Sequence, residues 1–376
     1  HIQVSDQTAE KIKLLIRQGI DWEHLLTISS RHGTIPLLYR SLNTICPTSV
    51  PEDIFQRLQN RFQTNARRNL FYTYELLKTL NLIADHNITA VPFKGPTLAA
   101  SVYGNLAFRS FGDLDIWVHK RDVSAVTNLL LAEGYQLLKD HGFEDTFRHP
   151  VTGVSIDLHY ALAHRLFRFS INFDEVRSRF KPGKLAGKTI DQLSPEDLLI
   201  VLCVLWGRDC YLWRMRLAQL CDINELIRAY PELNWQQVLD RARKLRGERL
   251  LLMALASARN LLKTPLPAAV DERLQADPTA NSLAAQISSQ FLDTIDARTD
   301  TDDPAYQSSL KIYKHHLLQM REHWLDGLPY FLHHALVPQE EEIALVPLPF
   351  FSFLRYPLRI LRLIRKYGLK LLQGGL

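Results

Sequence analysis

The chain of 376 residues predicts an α+β fold, a small mixed-sheet core embedded in a largely helical chain. Three observations predict it. Apolar residues recur at helical spacing through 8–85. They alternate at strand spacing in short stretches between 113 and 160. They return to helical spacing from Ser194 onward.

Each element follows from local chemistry. Pro51-Glu52-Asp53 opens a long amphipathic stretch through Ile54, Leu58, Phe62, Leu70, Tyr74, Leu77 and Leu80. Ile88 to Phe93 is short and β-rich. Lys94-Gly95-Pro96 then makes a turn, with proline at the start of a short helix to Tyr103. Asp113 to Val118 alternates like a strand, 121–133 reads as helix, and Gly134 is its stop. Tyr135 to Lys139 is a second strand. Glu144 to His149 and Val154 to Tyr160 form a hairpin around Pro150-Val151-Thr152-Gly153. Ser194-Pro195-Glu196-Asp197 begins a helix, with serine as cap and an acid at the third position. Helical patterns run to about 263 and resume near 281. Residues 264–280, with Pro265, Pro267 and Pro278, read as a connection. The expected division is a helical segment over 1–80, an α/β core over 81–192, a helical domain over 193–342 and a basic amphipathic helix over 343–376.

Composition narrows the class. With 46% hydrophobic and 23% charged residues, the chain can bury a core without staples. Cys46, Cys203, Cys210 and Cys221 include no CxxC pair, which argues against a zinc ribbon and fits a reducing, cytoplasmic setting. The first residue is His1 rather than Met, which reads as a trimmed end, and nothing there reads as a signal peptide. The longest mostly apolar run, Ile343 to Leu354, is too short for a transmembrane segment. The net charge of +5 is uneven: six basic residues and no acid follow Ile343, so the preceding 342 residues sum to about −1. No duplex nucleic acid is expected as a partner, and a templated polymerase is disfavoured.

The chemistry concentrates in Gly112-Asp113-Leu114-Asp115-Ile116-Trp117-Val118. On a strand, residues i and i+2 share a side, so Asp113 and Asp115 aim two carboxylates at one place. Like charges held together call for a cation, and hard oxygen ligands favour Mg2+ or Mn2+. Asp157, in the alternating stretch Val154 to Tyr160, is the choice for a third carboxylate, with Asp145 as the other candidate. Lys94 and the helix start at Gly95 offer a charge and backbone amides to phosphate. Arg109 and Ser110 stand just before the aspartates, where a triphosphate needs donors.

The segment Phe93-Lys94-Gly95, Tyr103-Gly104, Arg109-Ser110-Phe111-Gly112-Asp113-Leu114-Asp115, then Ile156-Asp157-Leu158-His159, resembles the uncharacterised bacterial nucleotidyltransferases of the polymerase-β superfamily. Leu193 to Leu199 and Leu220-Cys221-Asp222-Ile223 are similar to their helical half, so the resemblance covers roughly 35–270. It implies a nucleotidyltransferase core using an NTP and two metal ions, Mg2+ or Mn2+. Asp113 and Asp115 would bind both ions, and Asp157 the one that activates the acceptor hydroxyl. Lys94, Gly95, Arg109, Ser110 and Gly112 would bind the nucleotide. Pro96 stands where the family carries a small residue. The implied reaction moves an NMP to a hydroxyl or phosphate of an unidentified small-molecule, peptide or protein acceptor. Two rivals keep the same pocket: a tailoring transferase acting on a phosphorylated or nucleotide-activated substrate, and a catalytically silent nucleotide-binding or antitoxin-like module.

Plainer roles compete for several residues. Arg109 can simply pair with an acid, and Asp222 reads as a buried carboxylate satisfied by a neighbouring arginine. His159 reads as a hydrogen-bonded structural histidine ahead of a partner to the site. The pairs His315-His316 and His333-His334 diverge on a helix and read as surface or packing. In the tail, Arg355, Arg359, Arg362, Lys366 and Lys370 form one basic stripe if helical, with Arg355 just outside the helix. Such a stripe over 355–370 can meet a membrane surface, a nucleic acid or an acidic partner, or dock on its own protein, which is the favoured reading.

Overall fold

The computed structural model describes residues 5–162, 169–211, 215–293, 319–322, 325–326 and 354–363. Four helices lead: α1 (Asp6–Arg17), α2 (Trp22–Arg31), α3 (Ile35–Ile45) and α4 (Glu52–Asp85). Ser5 and Asp21 cap the first two with side-chain oxygens. The 34-residue α4 starts after Pro51 with two acids in its first turn, where the helix dipole favours them. Leu26, Ile35, Leu42, Ile54 and Leu58 close a small core among these helices.

The sheet contains β1 (Ala90–Pro92), β2 (Leu114–Val118), β3 (Gln136–Asp140), β4 (Glu144–Arg148) and β5 (Ser155–His159), in the order β1-β2-β5-β4-β3. Only the central pair β2–β5 is parallel. Helix α5 (Gly95–Tyr103) joins β1 to β2, and α6 (Val123–Ala132) joins β2 to β3. All five residues of β2 are buried, because both faces of this strand are covered. Leu114, Ile116 and Val118 pack with Ile156, Leu158 and Leu76 of α4 on one face. Trp117 faces the other way, into the core shared with the later helices. Alternation therefore turns Asp115 toward those helices too.

A two-stranded hairpin, β6 (Lys181–Leu185) and β7 (Lys188–Gln192), follows a short α7 (Phe173–Arg177). The later helices are α8 (Pro195–Tyr211), α9 (Leu217–Ala229), α10 (Trp235–Lys244), α11 (Glu248–Leu262), α12 (Ala268–Ala276) and α13 (Pro278–Asp293). Ser194 Oγ accepts from the Asp197 amide at 3.2 Å, and Arg179 and Arg241 both bind the Asp197 carboxylate, pinning the start of α8.

Three expectations are corrected. The strand expected over 113–118 begins at Leu114, so Asp113 stands just ahead of it. The connection expected over 264–280 holds α12. Two of its three prolines mark helix starts rather than breaks: Pro267 is the cap of α12 and Pro278 the first residue of α13. Arg355, expected outside the terminal helix, is the first residue of the helix Arg355–Leu363, where Tyr356, Ile360 and Leu361 are exposed. Lys366 and Lys370 of the basic stripe, and His315, His316, His333 and His334, lie outside the described residues. Among the described residues, no helix is long and apolar enough to cross a membrane.

Candidate active site

Parallel pairing of β2 with β5 sets the geometry. Asp115 is the register partner of Asp157, and Trp117 that of His159. Across the next pair, Thr146 faces Asp157 and Glu144 faces His159. These side chains share one face of the sheet. Asp145, the rival third carboxylate, pairs with Leu158 and belongs to the opposite face.

Asp115 is buried and holds two nitrogen partners on one oxygen. Lys94 Nζ and His159 Nε2 each lie 3.1 Å from its Oδ1. Thr146 Oγ1 donates to Asp157 Oδ1 at 2.8 Å. His159 is thus hydrogen-bonded, and its other ring nitrogen, Nδ1, is 3.1 Å from Glu144 Oε2 but off the line of a hydrogen bond. One ligand atom each from Asp115, Asp157 and His159 lies within 4.8 Å of the others. Asp113 is outside that compact group and, among the described residues, makes no side-chain hydrogen bond.

The charges are unbalanced. Burial and the neighbouring Asp115 carboxylate push Asp113 up to about 6, against the pull of Lys94. Burial also works against the charge on Asp115, but Lys94 and His159 outweigh it and hold its carboxyl well below the usual range. Asp157 is raised by burial and by Asp115, with the Thr146 hydrogen bond opposing. Burial alone would lower Lys94, yet Asp115 and Asp113 keep its ammonium above its ordinary value.

Lys94 reaches Asp115 because the chain turns sharply behind it. Gly95 has φ +54°, and a Cβ there would stand 3.4 Å from the Asp113 carbonyl. The left-handed backbone is what calls for glycine here, since a Cβ would meet the carbonyl only at ordinary contact distance. The segment 105–112 is held from below by α4, through residues absent from the sequence-based expectation. Asn65 Nδ2 donates to the carbonyls of Ala107 and Arg109, at 3.1 and 3.2 Å. Asn69 Nδ2 donates to those of Leu106 and Arg109, at 2.6 and 2.8 Å. Tyr72 donates to the Gly112 carbonyl at 3.1 Å. Spacings of four and three put all three on one helix face. The available signal was two asparagines, weak helix formers, one turn apart inside a long helix. Ser110 Oγ donates to Asn65 Oδ1 at 3.3 Å.

Arg109 is engaged elsewhere. Its Nε and Nη2 each donate to Asp222 at 2.9 Å, and Tyr103 donates to the same carboxylate at 2.7 Å. The pairing expected as the plainer role for Arg109 and Asp222 is what the fold contains. Both still line a cleft of about 880 Å³ between the sheet, α4, α8 and α9, together with Lys94, Asp113, Asp115 and Asp157. Arg61 and Arg68 of α4 and Arg208 of α8 add cations to its walls.

The mixed sheet thus carries paired aspartates beside a lysine–glycine turn. Residues 18–263 match the model of the uncharacterised nucleotidyltransferase family, and the chain belongs to that family. No curated protein matches the chain. Among solved structures, the chain is similar to the lincomycin-bound lincosamide antibiotic adenylyltransferase LnuA, with 18% identity, 42% of this chain and 94% of that one covered, and a TM-score of 0.31. It is similar to the antibiotic-resistance factor ANT(2'')-Ia in its solution structure, with 11% identity, coverage of 66% and 99%, and a TM-score of 0.30. It is also similar to an antigenic nucleotidyltransferase-like protein from Paracoccidioides brasiliensis, with 15% identity, coverage of 58% and 91%, and a TM-score of 0.30.

Proposed function

We propose that the chain is a metal-dependent nucleotidyltransferase that moves an NMP from an NTP to a hydroxyl or phosphate of a small-molecule or peptide acceptor. The observation that carries this reading is the register of β2 and β5, which sets Asp115 beside Asp157 with Asp113 two residues upstream. The residues fit a divalent cation on the chemistry of their donors. Three carboxylates meet one ammonium and one imidazole, leaving negative charge for an ion to neutralise. Asp115 and Asp157 would hold one ion, and Asp113 with Asp115 a second, shared with the nucleotide phosphates. Such ions would neutralise phosphate charge and polarise the acceptor oxygen.

The chain's own residues supply position. The amides at the start of α5 and the Lys94 ammonium would hold phosphate oxygens, with Ser110 and Gly112 alongside. Arg109, bound to Asp222, would steady the loop. The acceptor oxygen attacks the α-phosphorus, and the bond from that phosphorus to the pyrophosphate oxygen breaks. Thr146 occupies one oxygen of Asp157, leaving the other to meet an ion or the acceptor's proton. A cleft of about 880 Å³ suits a nucleotide plus a small or side-chain-sized acceptor. Four free, buried cysteines suit a reducing cytosol.

The test is product mass on candidate acceptors, screened with four NTPs and Mg2+ or Mn2+. An added nucleotide with pyrophosphate release is expected. An added phosphate or sugar identifies the tailoring reaction instead, and cation-dependent NTP binding without turnover identifies a silent module. Asp113→Asn combined with Asp115→Asn should abolish NTP consumption in a folded protein. Normal turnover by that variant contradicts the mechanism.

A further inference from the structure

We propose that His159 is a metal ligand, its Nε2 completing with Asp115 and Asp157 a mixed oxygen–nitrogen cage that prefers Mn2+ to Mg2+, with Glu144 orienting the imidazole from behind. This rests on the reading above and specifies the ion for the same site.

Three features support it. The first is distance. His159 Nε2 lies 3.1 Å from Asp115 Oδ1, and with an Asp157 oxygen the set falls within 4.8 Å. Adjacent ligands of an octahedral ion with bonds of about 2.1 Å stand about 3 Å apart, and opposite ones about 4.2 Å apart. Small side-chain rotations bring the set onto one ion.

The second feature is the carboxylate behind the ring. His159 is 2% exposed, and its Nδ1 lies 3.1 Å from Glu144 Oε2, off the line of a hydrogen bond, so a small rotation of either side chain is needed for the ring to donate there. A metal-binding histidine commonly gives its remote N–H to a carboxylate, which fixes the tautomer and makes the ligating nitrogen more basic. With the proton on Nδ1, Nε2 presents a lone pair where it now meets Asp115. Asp115 keeps Lys94 as its partner after that exchange.

The third feature is rigidity. Phe93 packs edge-on against the imidazole with ring centroids 5.1 Å apart, and the strand register fixes the backbone. The ring cannot swing away from the acid edge without opening the core. Imidazole in the donor set shifts preference from Mg2+ toward transition-row ions.

The experiment is Mn2+ titration of the full chain, followed by electron paramagnetic resonance, with pulsed detection of nitrogen coupling to the bound ion. The wild-type chain should show imidazole nitrogen coupling and bind Mn2+ about tenfold or more tighter than Mg2+. His159→Gln should lose the coupling and weaken Mn2+ at least about tenfold, with a smaller effect on Mg2+. Because His159 is buried, its folding is checked by thermal melting. The less buried Glu144→Gln gives a second reading: coupling retained, Mn2+ affinity lower by about 10–100-fold. Saturable Mn2+ binding without nitrogen coupling overturns the inference and leaves the nucleotidyltransferase reading intact. Failure of both ions to bind the wild-type chain overturns both.

Discussion

Two ionic clusters face the same cleft and are built on opposite terms. Arg109, Asp222 and Tyr103 form a closed knot. Two parallel N–H donors and one phenol meet one carboxylate, and the charges cancel. Burial would lower the Arg109 charge, but Asp222 holds its guanidinium firmly protonated. Burial and Asp222 together keep Tyr103 well above its usual range. At the acid edge, Asp113, Asp115 and Asp157 share one lysine and one histidine, and Asp113 is left at about 6. The knot is complete without a ligand. The acid edge carries surplus charge that a cation would relieve; on the proposed reading, one cluster shapes the cleft and the other gives it chemistry.

The sharpest way to break this contrast is to remove one carboxylate from each cluster. Asp222→Ala strands a buried guanidinium and should cost about 3–5 kcal/mol in urea or thermal unfolding. A matched apolar pair, Arg109→Met with Asp222→Leu, should recover most of that loss. Asp113→Asn should act with the opposite sign in the cation-free protein. Its folded value of about 6 lies above the ordinary 3.8, so the ionised fold is penalised. That penalty is absent below about pH 4, grows through about 6 and is complete at pH 7. The variant should therefore be more stable than wild type by about 1–3 kcal/mol at pH 7, and no more stable near pH 4. Equal unfolding curves at pH 7 contradict the reading of Asp113.

A third comparison uses the cation itself. Saturating Mn2+ should raise the melting point of the wild-type chain. At 100 times the dissociation constant the gain is about 2.7 kcal/mol. The same addition should do little for Asp115→Asn and should act undiminished on a variant of the knot that still folds. A fourth comparison concerns the support beneath both clusters. Asn69→Ala leaves the Leu106 carbonyl without its donor and the Arg109 carbonyl with Asn65 alone, and should cost about 1–3 kcal/mol, while lowering turnover through a looser acidic loop. Unchanged turnover would separate the α4 clamp from the site.

Much of this was legible in the residues. Alternation announced β2 and β5, and with them Asp115 and Asp157, because a half-polar strand must turn its acids to one side. Pro51 and Ser194 announced helix starts through local chemistry. What local chemistry cannot announce is pairing over distance. The partner of Arg109 is 113 residues away, and only the packing of α9 against α5 brings Asp222 to it. The choice between Asp145 and Asp157 needed the β4–β5 register, since a shift of one residue exchanges the faces. The α12 helix was hidden because prolines that start helices and prolines that end them look alike without a cap to distinguish them. The β6–β7 hairpin turns on Ala186 and Gly187, both at positive φ, and alanine hides such a turn.

The account stands on the acid edge as a seat for nucleotide through a divalent ion. Calorimetric titration of a non-hydrolysable NTP into the wild-type chain and Asp157→Asn, with and without Mn2+, tests this directly. The account predicts binding by the wild type that requires the cation and falls at least about tenfold in the variant. Nucleotide binding of equal strength in all four titrations would contradict it.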